Sequence, residues 1–380
     1  MKLVYVLGGN YDANGMCSII TKKINWYAEN TDWEIVALLT ESARGREFYF
    51  PLHPSVKIVN FELDFDELDV MPKLKKLIRY SKKQKLYKKM FSDFLFSYRP
   101  DVVVSAMRRE INFLSDIKDG SLKVGELHFC RNTYRVFSHL HLPGFLCRAI
   151  TRYWQGRLLK QIRRLDAFVV LTDEDRKAWG NVPNIHVIPN FITDIPSVHS
   201  SCQNKTVVAV GRYTWQKGFD MLLRAWRKVE DVRQDWQLKI VGAGDSSEYS
   251  RLAQELQLKC VEFSRPVKDV NEVFGQSSIM AFSSRYEGFG MVLIEAMACG
   301  VPTVSFACPC GPSDIISDGI DGYLVPDFDV DLFAGRLLSL MSADKERIEM
   351  GLRARDNMMR FRQVDVMRRW MALFTSFQAK

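Results

Sequence analysis

The chain has 380 residues, more than one hydrophobic core usually organises, so length alone predicts two domains. Hydrophobic residues make up 47% and charged residues 26% without any biased tract, which excludes a disordered, collagenous or coiled-coil chain. The net charge of +8 sits wholly in the first half, where residues 1–195 hold 30 Lys+Arg against 22 Asp+Glu while the remainder balances at 23 against 23.

Taken from the N-terminus, Leu3 to Leu7 reads as a first strand; it is too short for a signal core and ends in Gly8-Gly9. Further short Val- and Ile-rich runs follow at Trp33 to Leu39, Val102 to Val104, Lys123 to Leu127 and Ala167 to Leu171. Between the second and third lies Lys73 to Lys89, with nine basic residues and no acid, and with Leu74, Leu77, Ile78, Leu86, Tyr87 and Met90 at roughly helical spacing. A basic amphipathic helix of that density seeks an anionic partner, and nucleic acid and an anionic membrane are the two candidates. Ile195 to Asn204, polar and containing Pro196 and three serines, marks a boundary. Strand-like runs then resume at Thr206 to Val210, Gln237 to Val241, Ile279 to Phe282 and Pro302 to Phe306. Their alternation with helical patterns is the signature of parallel sheets in two α/β lobes. After Gly351, Met359, Val364, Met367, Trp370, Met371 and Phe374 recur at helical spacing, which predicts a terminal helix. The expected division is therefore 1–195, 196–355 and a helix within 356–380. No apolar run approaches the roughly 20 residues a bilayer span requires. Eight cysteines without paired Cys-x-x-Cys units read as reduced thiols, and Cys308 and Cys310 around Pro309 receive no metal role.

Open α/β sheets bind ligands beyond the carboxyl ends of their strands, so chemistry is sought after strands. The run Thr206 to Val210 leads into Gly211-Arg212-Tyr213-Thr214-Trp215-Gln216-Lys217-Gly218. Arg212 offers a planar fork and Lys217 a mobile point charge, a pair suited to a diphosphate. The run Ile279 to Phe282 leads into a segment holding Glu287 and, after seven intervening residues, Glu295 on a helix that begins near Gly288, Phe289 and Gly290. A carboxylate accepts two hydrogen bonds from a vicinal diol, and the first helical amides, around Met291 and Val292, suit a phosphate. One acid on a sugar, the other on a ribose and a phosphate between them describe a nucleotide sugar. Glu295 lies among Leu293, Ile294, Ala296 and Met297, so it is expected to be buried with a partner.

These motifs resemble the second lobe of retaining glycosyltransferases of family four, with the pair Glu287 and Glu295 and the pair Arg212 and Lys217 in place. The phrases Leu165 to Thr172 and Val187-Ile188-Pro189-Asn190 also look like this family's, and Ala307 to Ile316 is similar to members that build bacterial surface polysaccharides. The resemblance implies the GT-B fold, two Rossmann-like doubly wound lobes facing across a cleft, with a C-terminal helix crossing back to the first lobe. It implies that the donor binds in the second lobe, with Gly211 and Asn190 nearby, and the acceptor in the first. Gly8 and Gly9 resemble the family's glycine loop near the donor phosphate. His128, after a strand, matches a cleft histidine near the donor sugar; His139 and His141 are its competitors. Neither Gly8-Gly9 nor Val241 to Asp245 fits the dinucleotide fingerprint, which disfavours a nicotinamide enzyme.

The expected reaction moves a hexose or N-acetylhexosamine from a UDP-linked sugar to a hydroxyl of a lipid-linked saccharide. The acceptor attacks on the donor side, the departing phosphate takes its proton, and Arg212 and Lys217 stabilise the diphosphate. No cofactor is expected, and no metal, although Asp64-Phe65-Asp66 and Asp327-Phe328-Asp329 match a short Asp-x-Asp pattern. The basic helix places the enzyme on the cytoplasmic face of a bacterial plasma membrane. The rival readings are a same-fold sugar synthase or phosphorylase on soluble acceptors, and a nucleic-acid-binding protein, for which no reading module is present.

Overall fold

The computed structural model describes the chain except for residues 13, 135, 137–143, 379 and 380, so His139 and His141 lie outside the described residues. Two compact units form: Met1–Val170 with Ala178–Ile188 and Met367–Lys380, and Leu171–Lys177 with Pro189–Val366.

The first unit holds seven strands, β1 Lys2–Val6, β2 Glu34–Leu39, β3 Lys57–Asn60, β4 Val102–Ser105, β5 Leu122–Glu126, β6 Ala167–Val170 and β7 Ile185–Val187. They pair in parallel in the order β3-β2-β1-β4-β5-β6-β7. The second unit holds β8 Thr206–Val210, β9 Gln237–Val241, β10 Val261–Ser264, β11 Ile279–Phe282, β12 Thr303–Phe306 and β13 Gly322–Val325. Their order is β10-β9-β8-β11-β12-β13, again all parallel. Each sheet reverses its winding once, between β1 and β4 and between β8 and β11. Strand order therefore creates a topological switch point in each unit, the place where open α/β sheets bind ligands.

Alternation along the strands feeds a core on either face. In the second unit Val207, Ala209, Ile279 and Ala281 pack with Leu222 and Trp226 of the helix Phe219–Glu230, while Val208, Met280 and Phe282 pack with Leu293, Ile294 and Met297 of the helix Met291–Ala298. In the first unit Val4, Val6, Val36 and Val103 meet Tyr87, Phe91 and Leu95 of the helix Lys73–Tyr98. Tyr5 faces the other way, toward the helix Gly15–Asn30. Strands β3, β7, β10 and β13, the four sheet edges, are those that sequence patterning did not reveal.

The polar stretch Ile195 to Asn204 is tied into the second unit: Ser200 N donates to Cys299 O at 2.7 Å and Arg347 Nε donates to Cys202 O at 2.8 Å. The chain ends in the helix Gln363–Gln378, from which Met367, Trp370 and Phe374 are buried. Within the first unit the ring of Phe374 lies 6.1 Å from those of Tyr27 and Trp33.

The basic helix runs to Tyr98, past the end of the basic segment, because Phe91, Phe94 and Leu95 continue its inward stripe. Its outer side exposes Leu77 at 66%, Ile78 at 53% and Leu86 at 50%, among the exposed Lys75, Lys82, Lys85 and Lys89. Lys83 does not join this surface, because its ammonium donates to the carbonyls of Leu63 and Asp64 and pairs with Glu67. Among the described residues, no helix is long and apolar enough to cross a membrane.

Candidate functional site

In the second unit the loops leaving β8 and β11 meet at the switch point. The first opens at Gly211, whose N–H donates to Val241 O at 3.0 Å, and continues through one 3-10 turn, Trp215–Lys217. Gly218 follows with a φ of 63°, and a Cβ there would sit 2.1 Å from Ser283 O. Both the left-handed backbone and the close approach demand glycine. The carbonyl of Gly218 then accepts from Met221 N at 3.0 Å, starting the next helix.

The second loop is laced to the first. Arg285 N donates to Gln216 O at 2.8 Å, Gln216 Nε2 to Tyr286 O at 2.9 Å and Ser283 Oγ to Lys217 O at 2.8 Å. Arg285 also grips Asp220 through two contacts of 2.7 and 2.8 Å and stacks 4.5 Å from the Trp215 ring. Burial would raise the Asp220 pKa, but the Arg285 guanidinium overrides it and holds the carboxyl below its ordinary value.

This lacing brings two of the expected residues into contact. Lys217 Nζ donates to Glu287 Oε1 at 2.6 Å, with side chains 15% and 10% exposed. Arg212 stands on the same loop with an exposed side chain. Gly290, with a φ of 94°, precedes the helix Met291–Ala298. Met291, Val292 and Glu295 form its partly open stripe, whereas Leu293, Ile294, Ala296 and Met297 are buried. Glu295 is thus half-buried rather than fully enclosed, because the helix turns this stripe away from the core. Phe289 is buried edge-on against Phe361, with centroids 5.7 Å apart, and Gly288 links it to Glu287. Asn190 is buried in the same unit.

The two loops and the helix after the second thus carry two cations, two carboxylates and a helix start. The set can neutralise a diphosphate and accept hydrogen bonds from hydroxyls on either side of it. Burial pushes the Cys299 thiol up to about 12 and Cys308 higher still, which keeps both as neutral thiols. Asp329 of the Asp-x-Asp pattern caps the helix Val330–Ser342, accepting from Leu332 N at 2.9 Å. In the first unit Asp64 accepts from Ser42 N at 2.8 Å, so these carboxylates already have local partners.

At the first unit's switch point Gly8 O accepts from Thr40 N at 3.0 Å and Glu41 N at 2.9 Å, which folds the loop after β1 back on the loop after β2. Gly9 O accepts from Cys17 Sγ at 3.2 Å. His128 follows β5, is 8% exposed, and places Nε2 2.9 Å from Glu126 Oε1. Sequence reasoning missed Arg285, Asp220, Glu126 and Lys23. Arg285 stands two residues before Glu287 and Glu126 two before His128, but only the fold discloses their partners.

Residues 192–357 match the family described as glycosyl transferases group 1. The amylovoran biosynthesis glycosyltransferase AmsD of Erwinia amylovora is 32% identical over 217 residues, covering 53% of this chain and 60% of that protein. The chain spans about half the length of the curated relatives it matches. Sucrose-phosphate synthase from Thermosynechococcus elongatus superimposes with a TM-score of 0.80 at 16% identity, covering 100% of both chains. S. aureus TarM, solved in complex with Fondaparinux, alpha-GlcNAc-glycerol and UDP, gives a TM-score of 0.74 at 15% identity, covering 98% of this chain and 99% of that one. The fold is GT-B, and the chain resembles glycosyltransferases of bacterial surface polysaccharides.

Proposed function

We propose that this protein is a retaining glycosyltransferase that moves a hexose or N-acetylhexosamine from a UDP-linked sugar to a hydroxyl of a lipid-linked saccharide in bacterial surface-polysaccharide synthesis. The observation that carries this reading is the Lys217–Glu287 pair at the β8/β11 switch point, one loop away from the helix start at Met291. When the donor binds, Lys217 exchanges its carboxylate partner for the β-phosphate, and Arg212 approaches from the same loop. Glu287, released from the ammonium, accepts hydrogen bonds from the donor sugar. Glu295, on the open stripe of its helix, takes the ribose. The acceptor hydroxyl attacks on the face from which the diphosphate leaves, and the leaving oxygen takes its proton. Positioning and charge stabilisation by Arg212, Lys217 and the helix amides supply the rate, with no metal in the scheme.

The helix Lys73–Tyr98 supports peripheral attachment to an anionic leaflet, where a lipid-linked acceptor is presented. Its outer side combines exposed apolar residues with lysines, and basic residues near such a surface contribute about 1 kcal/mol each. A synthase acting on soluble acceptors has no use for that side. A thermal-shift screen over nucleotide sugars, followed by slow donor hydrolysis, tests the reading: one UDP-sugar is expected to stabilise the protein, and stabilisation by none overturns it.

A further inference from the structure

Beneath the first unit's switch point lies a charged cluster that the scheme above does not use. Lys23, on the helix Gly15–Asn30, and Glu126, the last residue of β5, form an ion pair in which both side chains are 0% exposed. The carboxylate also accepts the Tyr5 hydroxyl, and the Lys23 ammonium lies 4.5 Å from the ring of Trp370. Burial disfavours charge on Glu126, yet Lys23 and then His128 outweigh it and hold the carboxyl well below the usual range. Burial likewise pulls Lys23 down.

A fully desolvated ion pair is a poor stabilising device, because desolvation consumes the Coulombic gain and well-packed apolar residues of similar volume often do as well. Packing therefore does not account for it. The arrangement gains a purpose from the other contact of the same carboxylate oxygen, which meets His128 Nε2 at 2.9 Å. Two residues apart at a strand end, Glu126 and His128 point to the same side. At 2.9 Å that nitrogen is within hydrogen-bond reach of the carboxylate, although the contact is bent from the ideal line.

We infer that Glu126, kept ionised by Lys23 and aimed by Tyr5, is a positioning residue that fixes the ring orientation and the tautomer of His128, retaining the proton on Nε2 and offering Nδ1 to ligand. This rests on the reading of His128 as a residue of the transfer site. Trp370 makes the terminal segment part of the same device, since it covers the ammonium that Glu126 needs.

The test begins with the wild-type protein, whose His128 ring nitrogens are observed by long-range 1H–15N correlation at alkaline pH. A single Nε2–H tautomer is expected, and an averaged pair of tautomers overturns the inference. The paired variant Lys23→Met with Glu126→Gln removes both charges, so the fold is expected to survive; Glu126→Asp, which keeps the charge and withdraws it by one methylene, is the second variant. In either, the His128 tautomers are expected to average, and kcat to fall about 10- to 100-fold with the donor KM unchanged. In a His128→Asn background the paired substitution should add no further loss. Wild-type kcat in both variants, or an undiminished loss in that background, overturns the assignment. If wild type transfers no sugar while the single tautomer is present, the functional reading fails and the coupling of Glu126 to His128 stands.

Discussion

Two lysine–glutamate pairs sit at strand ends in the two units and differ in their access to water. Lys217–Glu287 is 15% and 10% exposed, whereas Lys23–Glu126 is 0% exposed on both sides. The same chemistry can therefore serve two purposes. A pair at the rim of a site, partly screened by solvent, can be opened by a ligand that supplies its own charges. A pair sealed in the interior cannot open without stranding an ion in a medium that does not solvate it, and so acts as a fixed charge.

That contrast is broken most directly by removing one carboxylate at a time. Glu126→Gln alone leaves Lys23 buried and unpaired, and is expected to destabilise the protein by about 3–5 kcal/mol, read from urea unfolding. Glu287→Gln should move the unfolding midpoint far less, because its partner can reach water. Equal stability losses in the two variants would erase the distinction. For turnover the ranking reverses. Lys217→Ala should lower kcat by about 100- to 1000-fold while leaving circular dichroism and melting unchanged, since in the proposed scheme Lys217 stabilises the leaving diphosphate. In the proposed donor pose Glu295→Gln loses the ribose contact and should also lower kcat/KM by orders of magnitude. Wild-type turnover in Lys217→Ala would remove the exchangeable pair from the mechanism.

A smaller effect separates the charges that face solvent in the first unit. Lys75, Lys82 and Lys85 are exposed, whereas Lys83 is committed to Leu63, Asp64 and Glu67. Replacing the three exposed lysines with glutamine should abolish sedimentation with anionic vesicles at low salt, by loss of about 1 kcal/mol for each. Donor binding in the second unit should persist. Lys83→Gln alone should leave vesicle binding intact and lower stability instead.

How far the sequence foretold this structure depends on burial. Strands such as β1, β4, β6 and β11, buried on both faces, stand out as apolar runs. The edges β3, β7 and β10 are exposed or half-buried, so no apolar run marks them, and β13, though mostly buried, has four residues beginning at a glycine. The site divides in a similar way. Arg212, Lys217, Glu287 and Glu295 lie in two short motifs whose spacing is local. The partners that hold them do not: Lys217 meets Glu287 across 70 positions, Arg285 meets Asp220 across 65, and Lys23 meets Glu126 across 103. Spacing along one chain carries no record of such pairings, and only sheet order and helix placement produce them.

The smallest effect tests whether the lacing of the two loops behaves as part of the exposed class. Asp220 is 36% exposed and Arg285 12%, and their bidentate contact joins the helix after the first loop to the second loop. Because Arg285 holds the folded-state pKa of Asp220 below its unfolded value, the pair contributes stability above the unfolded value of about 3.9 and loses it as pH falls through the folded one. Solvent screening keeps that contribution small, about 1 kcal/mol or less. Asp220→Asn should therefore lower stability slightly at pH 7 and hardly at all in strong acid, where the wild-type carboxyl is already protonated. Arg285→Lys keeps a charge but loses the two-pronged grip on Asp220 and the stacking on Trp215. It should loosen both loops, so that the donor KM rises several-fold while the melting temperature barely moves. A large drop in stability with unchanged KM would place Arg285 with the buried pair, as a structural charge.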